Sequence, residues 1–65
     1  MSSAAIVART TLTGLQFLTR RSGATGWASA EGEADIYGSI REATRAALRL
    51  PSRWRAFALP VRPAD

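Results

Sequence analysis

Arg41, Arg45, Arg49 and Arg53 recur at every fourth position. On a helix that spacing lays the cations along one slowly rotating stripe. Arginine stays charged, forks onto carboxylates and phosphates, and stacks on aromatic rings. The chemistry open to the stripe is therefore the holding of anions: an acidic protein surface, an RNA backbone or an anionic lipid head group. The competing reading is a solvated face, with Glu42 offsetting Arg45 and Arg49. Beyond Pro51, the run Arg53-Trp54-Arg55-Ala56-Phe57 interleaves cations with aromatics. Such a run suits a membrane interface, where rings sit at head-group depth, or single-stranded RNA, where bases stack on rings. It suits equally well a plain packing role, with Trp54 and Phe57 covering a helix end or filling a hole in a neighbouring subunit.

Catalysis has little to draw on. The chain contains no His, Cys or Lys, so the commonest general base and the thiol and amine nucleophiles are missing. Ser22-Gly23-Ala24-Thr25-Gly26 lacks both the spacing and the lysine of a phosphate-binding loop. Glu31, Glu33 and Asp35 are not spaced as a calcium loop; at the start of a helix they complement its dipole. The expectation is a protein that is not an enzyme, with no catalytic residue, metal site, cofactor or small-molecule substrate.

The elements that would position the arginines follow from pattern. Residues 4–21 gather Val7, Ala8, Leu12, Leu15 and Leu18 on one face at 100° per residue, opposite Arg9, Thr13, Gln16 and Arg20. This predicts an amphipathic N-terminal helix. Thr10, Thr11, Thr13 and Gly14 are poor helix formers, and a short strand through Thr10–Leu18 is the alternative. Residues 22–32 are rich in Gly, Ser and Ala and read as a linker, in which Trp27 stands as a contact residue. Residues 33–50 predict the main helix, with Ile36, Ile40, Ala43, Ala47 and Leu50 at helical spacing and Pro51 as its stop. Ser39 and Glu42 form a capping-box pattern, which sets a second reading in which the helix starts at Ile40 after a break at Gly38. Ser52 opens one or two further helical turns, and Pro60 and Pro63 make the remaining tail extended.

Charge follows the same division. Residues 1–30 hold no carboxylate, Glu31, Glu33, Asp35 and Glu42 cluster next, and the chain is basic again until Asp65. An acid-poor N-terminus rich in Arg, Ser, Thr and Ala has the composition of an organellar targeting segment; a bacterial amphipathic helix is the alternative. Arg9 interrupts the apolar stretch and argues against a secretory signal. The location expected is organellar, mitochondrial or plastid, or bacterial and membrane-associated.

With 65 residues and 46% apolar content, a chain of this size has a marginal core. It also lacks the cysteines or histidines that would staple it. The predicted fold is all-α: one main helix, an N-terminal amphipathic segment and an extended tail, ordered by lying on a larger assembly. The function predicted from this is a non-catalytic accessory subunit that bridges or stabilises a larger, membrane-associated complex of respiratory or photosynthetic type. The alternatives are an RNA-binding component such as a small ribosomal protein and a membrane-surface peptide. Ile36, Ile40, Ala47, Trp54 and Phe57 are the expected apolar contacts of the partner complex. Arg41, Arg45, Arg49, Arg53 and Arg55 are its expected basic contacts, with anionic lipid as a further one.

Overall fold

The computed structural model describes residues 4–21 and 24–61. Strands β1 (Ala5–Thr11), β2 (Gly14–Arg21) and β3 (Ala24–Ala28) come first, then helix α1 (Ile40–Leu48) and strand β4 (Phe57–Pro60). Single 3-10 turns at Glu31–Glu33 and Ser52–Trp54 flank the helix. The strands form one sheet in the order β3-β2-β1-β4, and every neighbouring pair is antiparallel. The fold is thus a four-stranded sheet with one helix, and the all-α expectation is wrong. α1 and the sheet enclose a core around Ala5, Val7, Leu18, Ala43 and Ala47.

Residues 4–21 form a hairpin, not a helix, for a reason their composition contains. Ala5, Ile6, Val7 and Ala8 are all buried. A strand covered on both faces reads as an unbroken apolar run, and such a run also satisfies helical spacing. Ile, Val and Thr fit a pleated surface better than a helix. The turn is built by its own residues: Thr11 Oγ1 donates to the Gly14 carbonyl at 2.7 Å, and the Thr13 amide donates to Thr11 Oγ1 at 3.3 Å. Gly14 has φ of 124°, a conformation that glycine alone takes without steric cost. The register that results pairs Ala8 with Phe17 and Arg9 with Gln16.

The linker expected over 22–32 is occupied by β3 and the first 3-10 turn; Ser22 and Gly23 lie outside the described residues. β3 pairs Leu18 with Trp27 and Arg20 with Thr25. The chain then crosses back, with the Asp35 amide donating to the Leu18 carbonyl at 3.1 Å. Tyr37 is pinned to β1 by two backbone bonds with Ala5, of 3.0 and 2.7 Å. That bridge holds 33–38 out of the helix. Ser39, extended at φ −155°, caps α1 by accepting from the Glu42 amide at 3.2 Å. The long helix over 33–50 is therefore corrected to Ile40–Leu48, the shorter of the two readings. Beyond Pro51, the expected helical turns reduce to one 3-10 turn and then β4, which pairs Val7 with Ala58 and Ile6 with Leu59. Pro60 closes β4 at the sheet edge, where no ladder donor is required of it. The rest of the tail, including Pro63, lies outside the described residues. No described helix is long and apolar enough to cross a membrane.

Candidate functional site

Side chains alternate across a strand, so Val7, Arg9, Gln16, Leu18, Arg20 and Trp27 share the sheet face that α1 covers. The helix meets that face with Ala43, Ala46 and Ala47. These side chains are short enough to bring the two backbones close, and the longer residues on either side of them are left to line a groove. Arg45 and Arg49, one turn apart, come from α1; Arg20 comes from β2; Tyr37 comes from the segment bridged to β1. Together with Ile36, Gly38, Glu42 and Ala46 they line a cavity of about 430 Å³. An adjoining hollow of about 250 Å³ shares Arg20, Tyr37, Ala46 and Arg49 and continues to Leu18, Thr25 and Leu50.

Two features of this groove concern anions. No ion pair joins Arg20, Arg45 or Arg49 to a carboxylate among the described residues. The Tyr37 hydroxyl is buried and has no hydrogen-bond partner, an arrangement that costs roughly 1–3 kcal/mol when nothing else satisfies the group. Among the described residues no cluster of carboxylates is placed to hold a metal ion.

Beside the groove, the same sheet face carries an aromatic cluster. Trp27 and Trp54 meet edge to face, with centroids 5.9 Å apart and planes at 83°. The Arg9 guanidinium lies 4.3 Å from the Trp27 ring centre and 5.6 Å from that of Trp54. Gln16 Oε1 accepts from Arg9 Nε at 3.0 Å and from its Nη2 at 2.8 Å. A cation held over two rings and tied to an amide is a packing device, worth about 0.5–2 kcal/mol per ring contact.

The residues expected to bind partners are spread over the molecule. Ala47 is buried in the core, and Trp54 is half-buried against Trp27. Ile36, Ile40 and Phe57 are 68%, 44% and 36% exposed. Arg41, Arg45, Arg49, Arg53 and Arg55 are all exposed, but only Arg45 and Arg49 line the groove. Arg55 takes the left-handed conformation at φ 51° and lines a separate hollow with Leu48 and Ala56. Arg9 and Arg20, expected together on the polar face of a helix, lie on two strands, and neither they nor Tyr37 is among the residues expected to bind partners. Strand alternation through Leu18 and Arg20 would have put that arginine on the buried face; nothing local marks Tyr37.

The face away from α1 is the more apolar of the two. Cross-strand partners place Ile6, Ala8, Phe17, Leu59, Leu15 and Phe57 on it. Ile6, Ala8 and Phe17 are buried beneath Ala34, Leu59 and Val61, whereas Leu15 remains 43% exposed and Leu12, at the hairpin tip, fully so. No protein-family model, curated protein or solved structure matches this chain.

Proposed function

We propose that this chain is a non-catalytic accessory subunit, docked on a larger protein assembly through the sheet face opposite α1. The observation that carries the reading is the pattern of that face. Its centre is sealed by Ala34 and Val61, but Leu15 and Phe57 on the same face stay exposed beside Phe17 and Ala8. A contiguous exposed apolar patch is a common mark of a protein contact. Docking there leaves the arginines of the opposite side free for acidic neighbours or lipid phosphates. A single-stranded RNA partner has less support, because Trp27 and Trp54 are already engaged by each other and by Arg9 and do not offer open stacking platforms.

The test is the native mass of the tagged full chain in the cells that make it. The chain should migrate with a species far larger than its own 7.0 kDa. Leu15→Glu with Phe57→Glu should release it to low mass while its circular dichroism stays unchanged. A wild-type chain at low mass, or a double variant that stays in the large species, would overturn the reading.

A further inference from the structure

We infer that the groove between α1 and β2 is a binding site for a phosphate monoester. Three arginines line it from two different elements, Arg20 from the sheet and Arg45 and Arg49 from the helix. Opposing them are the Glu42 carboxylate, which lines the same groove, and the C-terminal end of α1, equivalent to roughly half a negative charge. The cations outweigh both, so the groove favours an anion of more than one charge. A phosphate monoester carries about −1.5 to −2 charges and three acceptor oxygens, which suit arginine forks arriving from several directions. A carboxylate brings one charge and two oxygens and leaves donors over.

The Tyr37 hydroxyl is the second, independent observation. It is a buried donor without a partner; Tyr37 as a residue lines both hollows, and its backbone is bridged to Ala5. A phosphate oxygen that displaces the side chains covering the hydroxyl would accept from it. The adjoining hollow of about 250 Å³, which continues to Thr25 and Leu50, leaves room for the esterified group. This inference uses the helix side of the sheet and stands apart from the apolar docking face.

Glycerol 3-phosphate titrated into the full-length, isotope-labelled chain at constant ionic strength tests it by amide shifts, with acetate as the control. Saturable shifts centred on Arg20, Tyr37, Ala46 and Arg49 are expected. Tyr37→Phe, which keeps the ring, and Arg49→Gln should each weaken binding about tenfold, the loss of one charge-assisted hydrogen bond. Sedimentation with phosphatidylcholine vesicles, with and without phosphatidate, identifies the source of the ester. Phosphatidate-dependent sedimentation that glycerol 3-phosphate reverses assigns a lipid head group; saturable binding without sedimentation assigns a soluble ester. Shifts that grow linearly, that spread evenly to Arg41, Arg53 and Arg55, or that acetate reproduces would overturn the site. So would a Tyr37→Phe chain, still folded by its spectrum, that binds as tightly as the parent.

Discussion

The two faces of the sheet are closed by different means. On one, α1 brings Ala43, Ala46 and Ala47 against Val7 and Leu18, so small side chains on the helix meet larger ones on the strands. On the other, no helix among the described residues covers Ile6, Ala8 and Phe17; the work falls to Ala34 and Val61 from irregular segments and to Leu59 of β4. The helix face is covered by a regular layer, and the far face is filled by one large aromatic ring, Phe17. The first can present charged groups around a fixed groove. The second keeps apolar groups at its margin. In so small a chain the same central strands serve both, through the alternation of β1 and β2.

The largest effect should come from removing the ring that fills the uncovered face. Phe17→Ala, at a position only 7% exposed, should cost about 3–5 kcal/mol. A domain of this size has a total stability of roughly 3–10 kcal/mol, so loss of a cooperative thermal transition is the expected result. If the variant melts like the parent, the far face is not held by packing. Ala43→Leu attacks the helix face instead, at a position with no exposure. Overpacking there should cost about 1–3 kcal/mol and lift α1 away from the sheet, read as a lowered denaturant midpoint. A double-mutant cycle of Arg9→Ala and Trp27→Ala should return a coupling of about 1 kcal/mol; additive losses would show that the cation and the ring stabilise the fold separately. Ser39→Ala should be the mildest, at about 1 kcal/mol or less, and should appear as fraying of the first turn of α1 in amide exchange.

The parts of this arrangement that were legible in the sequence are those decided within a few residues. Ser39 with Glu42 marks a helix start at Ile40, and Pro51 marks the stop; the structure uses both. Arg45 and Arg49 share a helix side because they are four apart. What was not legible depends on residues distant in the chain. The four consecutive buried residues of β1 satisfy helical and extended patterns alike, and their two faces become interior only when α1 covers one and Ala34 and Val61 the other. Ile36 and Tyr37 fit the helical spacing of 33–50, yet the bonds of Tyr37 to Ala5 override it. Arg20 belongs beside Arg45 only once the hairpin and the helix have come together. Trp27 looks solitary in a run of small residues because its companions, Arg9 and Trp54, lie in other segments.

The position of β4 beside β1 has a consequence for the chain as it is being made. β1 receives its outer neighbour only after β2, β3 and α1 have all been made. Until Phe57 to Pro60 leave the ribosome, one side of β1 is an unpaired edge bearing Ala5, Ile6, Val7 and Ala8, an apolar stretch of the kind that recruits strands from other chains. A chain cut short before β4 keeps that edge open.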